Sequence, residues 1–317
     1  MSTTAFISMA GSTGKTVTAI TTACKLAADG LVVDVVDIDL QANPTSWLGY
    51  EEWNGPTVAD VLRGKASLKE VRLPARYYLG RNADDEDVYK YLDRVRIIPA
   101  SRETLSPLSV EMVGDRTLLD SLRDAFIAEA HSDPDQVADV RLLDCGGVDS
   151  PFNTLAMLAT TAEEDFPDGG TGMSGVITCS APGRKEMEGL DPLIAMLKRT
   201  AKLYNRPQLK LLSVVPTIVP TATGAPTKGE RELRDYHFRP ATGFHELLEV
   251  IEDEYADAAL CGVTPPVRET RHVKRAFNEA IPLHFYRPTR DVAGDYDRVV
   301  EHQKARGLWP STSRHAA

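Results

Sequence analysis

The sequence predicts an α/β fold: a doubly wound, predominantly parallel sheet with helices on both faces. Three observations carry that prediction. Short apolar, β-branched segments alternate with helical stretches along most of the 317 residues, as strand–helix–strand units do. The glycine-bearing stretch Ala10-Gly11-Ser12-Thr13-Gly14-Lys15-Thr16 stands between one such segment and a long helical one. Clusters of short polar residues follow two further segments, at the strand carboxyl ends where parallel sheets place their chemistry.

Residues 4–8 (TAFIS) have the composition of a buried strand. Residues 16–28 set Ala19, Thr22, Ala23, Leu26 and Ala27 on one helical face before Gly30 stops the helix. The intervening loop therefore sits at a helix N-terminus. There, unpaired N–H groups and the positive end of the helix dipole face any bound anion, and Gly11 and Gly14 permit close backbone approach. In such a phosphate cradle Lys15 reaches the β- and γ-phosphates of a nucleotide and the Thr16 hydroxyl ligates Mg²⁺. The G-x-x-x-x-G-K-[ST] pattern is incomplete, because Met9 occupies its first glycine position. On the G-K-T triplet alone, an ordinary strand-to-helix turn with a solvated lysine fits equally well.

A second strand, 31–36 (LVVDVV), runs into Asp37-Ile38-Asp39-Leu40-Gln41-Ala42-Asn43-Pro44. Two carboxylates and an amide are more than a helix cap requires. Residues 56–73 read as a pair of short packing helices punctuated by Gly64. Residues 74–93, with Tyr77, Tyr78, Tyr89 and Tyr91 beside the run Asp84-Asp85-Glu86-Asp87, read as a surface excursion whose aromatics pack locally. A strand at 95–98 ends at Pro99-Ala100-Ser101, and 116–130 form an amphipathic helix with Leu118, Leu119, Leu122, Ala125 and Phe126 inward. The apolar strand from Val140 ends on Asp144. That carboxylate either caps the next turn or, beside a nucleotide loop, helps hold Mg²⁺.

Residues 163–175 read as a flexible loop, 176–180 as a strand, 182–197 as a helix and 209–215 as the last strand, closed by Pro216 and Thr217. A mobile loop is expected over 220–244, a helix over 245–259, a basic segment with a final helix within 265–306, and a disordered tail over 307–317. No internal repeat or boundary divides residues 1–306, so a single domain is expected.

Composition narrows the function. A hydrophobic fraction of 42% and a charged fraction of 26% are those of a soluble globular chain. No apolar run is long enough to span a bilayer, and the N-terminus has no secretory signal pattern, so a cytoplasmic location is expected. The four cysteines are widely spaced, without a C-x-x-C pair, and read as reduced buried thiols. A net charge of −10 disfavours general nucleic-acid affinity outside a local basic patch.

With the loop, the D-x-D-x-Q-x-N stretch and the strand-terminal Asp144 in this order, the chain resembles the ParA family of DNA-partition ATPases, within the class of P-loop proteins that includes MinD. The resemblance continues through Arg96-Ile97-Ile98-Pro99-Ala100-Ser101, Leu142-Leu143-Asp144-Cys145, residues 182–190, Ala280-Ile281-Pro282-Leu283 and residues 288–296, nearly the whole chain. It implies that Gly11, Ser12, Thr13, Gly14, Lys15 and Thr16, with Thr18 beyond them, hold ATP. Thr16, Asp144 and Asp39 would serve the Mg²⁺ site, with Asp39 orienting the attacking water and Lys15 sharing in catalysis. Pro216 and Thr217 would lie near adenine, and Gln41 and Asn43 near the nucleotide or a subunit interface. It further implies a nucleotide-dependent homodimer, a ParB-like centromere-binding partner and a nucleoid-associated location. The main departure is Ala10, where the family carries a signature lysine; its absence implies slow hydrolysis.

Arg268, Arg271, His272, Lys274 and Arg275 cluster within eight residues. Helical spacing sets Arg268, Arg271 and Arg275 on one face, and charge runs of this kind are usually solvated surface. The family resemblance instead implies that Arg268, Arg271, Lys274 and Arg275 hold DNA phosphates without sequence preference. A membrane role is disfavoured, since residues 299–317 are broken by Gly307 and Pro310 and are poor in large apolar residues. Two alternatives stay open: a metabolic ATP-dependent enzyme on the same fold, similar to dethiobiotin synthetase, and a degenerate nucleotide-binding switch that barely hydrolyses.

Overall fold

A computed structural model describes residues 1–147, 149–162, 171–181, 183, 189–222, 238, 240–241, 244–255 and 257–315. In chain order the first half comprises β1 (Ser2–Phe6), α1 (Lys15–Ala28), β2 (Val33–Ile38), α2 (Asn43–Trp47), α3 (Val58–Leu62), α4 (Leu68–Val71), β3 (Leu73–Arg81), β4 (Asp87–Ile98), α5 (Arg102–Gly114) and α6 (Ser121–Ser132). The second half comprises β5 (Val140–Cys145), α7 (Pro151–Ala159), β6 (Gly175–Ser180), α8 (Leu190–Leu203), β7 (Leu211–Pro216), α9 (Phe244–Tyr255), α10 (Arg271–Asn278) and α11 (Arg290–Lys304).

The strands form a seven-stranded sheet in the order β3-β4-β2-β5-β1-β6-β7, parallel throughout except for β3 against β4. The expected doubly wound sheet is thus present. Every residue of β1, β2, β5, β6 and β7 is buried, as strands covered on both faces must be. One apolar core gathers Val36, Leu143 and Val214 of the sheet under Leu105, Phe126, Phe152 and Leu193 of the helices on one face. The other gathers Phe6, Val35 and Ile177 under Ile20, Trp47, Tyr296 and Val299. Among the described residues, no helix is long and apolar enough to cross a membrane.

Several expectations are corrected. The excursion over 74–93 is a long antiparallel hairpin, β3–β4, that extends the sheet edge; residues 95–98 are only the end of β4. Residues 116–130 divide into a 3₁₀ turn (Arg116–Leu119) and α6. The tail does not hang free in residues 307–315. Leu308 and Trp309 are buried, Ser313 Oγ and the Arg314 N–H donate to Asp139 at 2.6 and 2.8 Å, and His315 Nε2 donates to the Val137 carbonyl at 2.8 Å. Two apolar side chains and a carboxylate at the start of β5 fix the tail. The flexible loop expected over 163–175 and the mobile loop over 220–244 lie largely outside the described residues, as does the start of the helix expected over 182–197.

Candidate nucleotide site

The loop after β1 is held from below before it meets any ligand. Ser8 Oγ donates to the Cys179 carbonyl (2.9 Å), Thr13 Oγ1 donates to Ser8 Oγ (3.0 Å), and Thr217 Oγ1 donates to the Thr13 carbonyl (2.6 Å). Gly14 takes a left-handed φ of 82°, ordinary for glycine, while Ser12 adopts φ 59° at a position where a side chain is strained. Two left-handed positions two residues apart wind the loop tightly at the start of α1, as loops that bind anions at helix N-termini are wound. Lys15 is the first residue of α1, so the helix dipole adds to it. Lys15 is 7% exposed, lines the cleft above the loop, and has no hydrogen-bonded or ion-paired partner among the described residues.

Carboxylates stand opposite the loop. Asp37 and Asp144 are register partners at the ends of β2 and β5, both fully buried. Burial pushes the Asp37 carboxyl up to about 7, against the Thr45 hydroxyl (2.6 Å), the Thr45 N–H (3.0 Å) and the Asp39 N–H (3.1 Å) that it accepts. Those bonds tie down the turn that carries Asp39. Burial likewise pushes Asp144 up to about 8, opposed by its bond from Thr16 Oγ1 at 2.7 Å and assisted by neighbouring Asp37. Its second oxygen, Oδ1, is buried without a hydrogen-bond partner. Asp39 lines the cleft, and its Oδ1 accepts the Gln41 N–H at 3.1 Å. Asn43 Nδ2 donates to Gln41 Oε1 at 3.2 Å, and both residues line the same cleft.

Gly147 completes the floor. A Cβ on it would stand 2.9 Å from Gly11 Cα and 3.1 Å from the Ala10 carbonyl oxygen, so only glycine lets the turn after Asp144 close on the loop. The Gly146-Gly147 pair was the available sequence signal for this contact.

The cleft holds about 980 Å³. Its remaining wall comes from Ile218, Pro220 and Thr221, from Val267 to Arg271, and from the α10 residues Val273, Lys274 and Phe277. Gly11, Ser12, Thr13, Gly14, Lys15 and Thr16 all line it. Thr18 does not: its buried hydroxyl donates to the Gly14 carbonyl at 2.8 Å, below the loop. Pro216 and Thr217 do not line it either. Thr217 is buried under the loop as its support, and Ile218 is the first residue of that strand end to face the cleft.

The basic cluster divides. Thr270 caps α10, so Arg268 lies before the helix and cannot share a helical face with Arg271 and Arg275. Its guanidinium is spent on a bidentate pair with buried Asp295 (2.6 and 3.0 Å) and lies 5.0 Å from the Phe238 ring centroid. Asp295, 27 residues away, had no local signal. Arg271, Lys274 and Arg275 are exposed without ion-pair partners among the described residues, and the first two line the cleft.

A family model described as the CobQ/CobB/MinD/ParA nucleotide-binding domain matches residues 4–235. Sequence comparison with curated proteins returns no match. Among solved structures, the chain is similar to a McdA variant from Cyanothece in complex with ATP (17% identity, 96% of each chain covered, TM-score 0.68). It is similar to a plasmid partition protein of Borrelia burgdorferi bound to AMPPNP (15% identity, 96% of this chain and 99% of that one, TM-score 0.62). It is also similar to the cobyrinic acid a,c-diamide synthase of Mycobacterium smegmatis with a bound ATP analogue and magnesium (18% identity, 98% and 99%, TM-score 0.64).

Proposed function

Because the chain belongs to the CobQ/CobB/MinD/ParA nucleotide-binding family, we propose that it is a ParA-like ATPase of plasmid or chromosome partition. In this reading it binds ATP and Mg²⁺ in the cleft, dimerises, coats DNA without sequence preference, and is released when a ParB-like centromere-binding partner stimulates hydrolysis. The observation that supports it best is Lys15, an almost fully buried cation that makes no hydrogen bond or ion pair among the described residues and opens α1 on the wall of the cleft. A buried lysine left unpaired is costly, and a polyphosphate removes that cost.

The residues for Mg²⁺ fit. Asp144 Oδ1 is an orphaned buried acceptor beside the Thr16 hydroxyl, and the described residues hold no cluster of three or more His, Cys, Asp or Glu side chains. A cation held mainly by phosphate and water oxygens, with few protein ligands, is the habit of Mg²⁺. When bound, it neutralises charge across the transferring phosphates. Asp39, anchored by one oxygen to the Gln41 N–H, orients the attacking water with the other. At position 10 there is no cation to meet the charge that develops, so hydrolysis is slow.

The reading is tested by duplex-DNA binding with ATP·Mg²⁺, with ADP and without nucleotide, at two salt concentrations. Binding that needs ATP, weakens with salt, disappears in Lys15→Ala and loses about one unit of salt slope in Arg275→Ala is the expected result. Ala10 favours a second reading, a metabolic ATP-dependent enzyme on the same fold. ATP binding without DNA binding under any condition would select it.

A further inference from the structure

A second cavity, of 840 Å³, shares two walls with the nucleotide cleft. Asn43 and Trp47 of α2 face the cleft, while Ser46 and Gly49, on and just after the same helix, face the second cavity. Residues 271–277 of α10 contribute to the cleft, and Asn278 to Ile281 continue into the second cavity. The two helices are joined across this boundary by Trp47, whose ring meets Phe277 edge-on at 5.2 Å and whose Nε1 donates to the Ile281 carbonyl at 3.0 Å.

The other wall is the β3–β4 hairpin. Tyr50, Trp53, Tyr78 and Tyr89 line the groove. The Arg76 guanidinium is clamped between the rings of Tyr50 (4.5 Å) and Tyr89 (4.0 Å), with Nε donating to the Gly49 carbonyl at 3.2 Å, so it acts as a rigid part of the floor. Carboxylates dominate the rim. Glu51, Glu52 and Glu279 have no ion-pair partner among the described residues, and Asp87 is paired with Arg81 at 3.2 Å. Leu79 on the lip is 58% exposed.

The groove also has an open backbone edge. β3 is the edge strand of the sheet, and the Arg76 N–H points away from β4 to the Leu48 carbonyl (3.2 Å). Strand alternation then turns the N–H and C=O of Tyr78 the same way, beyond the reach of Leu48. Tyrosine, tryptophan and arginine are the side chains that anchor protein interfaces. An exposed strand edge takes up an extended chain through main-chain bonds, and the pockets beside it select side chains.

We propose that this groove docks an extended segment of a partner protein in which lysine or arginine alternates with apolar residues, and that its occupancy is transmitted through α2 and α10 to the nucleotide cleft. The carboxylate rim repels nucleic-acid phosphates and attracts cationic side chains. The docking stands independently of the proposed ATPase activity; the transmission rests on it.

The test uses the full chain with a fluorescein-labelled peptide of alternating arginine and valine, and its counterpart with glutamate for arginine. The basic peptide alone binds, without nucleotide. Its affinity falls about tenfold or more in Glu51→Lys/Glu52→Lys and in Glu279→Lys, and it is blocked in Leu79→Arg, a surface change that leaves the fold intact. It persists in Lys15→Ala. Equal binding of the two peptides, binding indifferent to the rim substitutions, or no binding would each overturn the docking site. Release of a fluorescent ATP analogue changes rate when the basic peptide is bound; an unchanged rate overturns the transmission. An analogue that fails to bind at all would overturn the nucleotide reading while leaving the peptide result to stand.

Discussion

Asp144 shows how one side chain can favour a ligand and oppose stability. Burial raises its carboxyl from 3.8 to about 8, so in the ligand-free protein the folded state holds a proton that the unfolded chain releases far earlier. Between those values the folded state binds more protons than the unfolded one, and stability falls as pH rises; the contribution is fully present below about pH 4 and lost by about pH 8. Asp144→Asn removes that loss. Urea unfolding at pH 5, 7 and 9 should therefore find the variant gaining on wild type as pH rises, by several kcal/mol in all by pH 9. A constant difference across the range would contradict it. That this residue, Lys15, Thr16 and Asp39 would stand together was legible because each ends or follows a recognisable strand at the same edge of the sheet. Arg268 was not, since the Asp295 that claims it arrives from another helix 27 residues later. The support Thr217 gives the loop was not legible for the same reason: its partner, the Thr13 carbonyl, lies 204 residues earlier.

Elements are tied together on the opposite side of the sheet from α1 by a buried ionic cluster. Asp34 of β2 accepts from Arg96 Nε of β4 (2.6 Å) and from Arg72 just after α4 (2.9 and 3.1 Å); Arg72 reaches Glu129 of α6, which also accepts from Arg141 of β5 at 2.8 Å. Burial alone would raise the Asp34 carboxyl, but the Arg72 and Arg96 guanidiniums outweigh it and hold it below the usual range. Its sign is opposite to that of Asp144: the stabilisation is present above about pH 4 and lost as pH falls through the depressed native value. Asp34→Asn removes the charge that Arg72 and Arg96 share, leaving Arg72 with Glu129 and Arg96 with the Gln136 carbonyl, and should cost about 3 kcal/mol at pH 7. Chemical denaturation would detect it, together with a shallower loss of stability in acid. The strands that carry this cluster were legible as apolar runs. The β3–β4 hairpin was not, because its tyrosines and carboxylates alternate on a half-exposed edge and give the composition of a loop. Its pairing is set by long-range register with β2, which no local pattern records.

The whole molecule divides its work between the two ends of one sheet. The loop, the carboxylates and the nucleotide cleft gather where β1, β2, β5 and β7 end, the second cavity lies against the β3–β4 hairpin at the sheet edge, and the C-terminal segment packs at the opposite end, where the strands begin. Trp309 is 4% exposed and donates to Gln303 Oε1 at 3.2 Å, Leu308 is fully buried, and the Met173 N–H donates to the Leu308 carbonyl at 2.8 Å. Beyond them Asp139, at the foot of β5, accepts from Val32, Ser313 and Arg314, joining the tail to the start of the sheet. A short segment containing a glycine, a proline and two serines reads as disordered from its own composition; here two apolar side chains and one carboxylate supply contacts that composition does not reveal. Trp309→Ala leaves a cavity at this end and should cost about 3 kcal/mol or more. Because the tail meets α11 only near its C-terminal end, at Gln303, while the cleft takes Val292 and Tyr296 from the first half of that helix, affinity for a fluorescent ATP analogue should stay within about twofold of wild type, measured below the variant's lowered melting temperature. A parallel loss of nucleotide affinity would show instead that the sheet transmits strain along its strands, and that the two ends are a single cooperative unit.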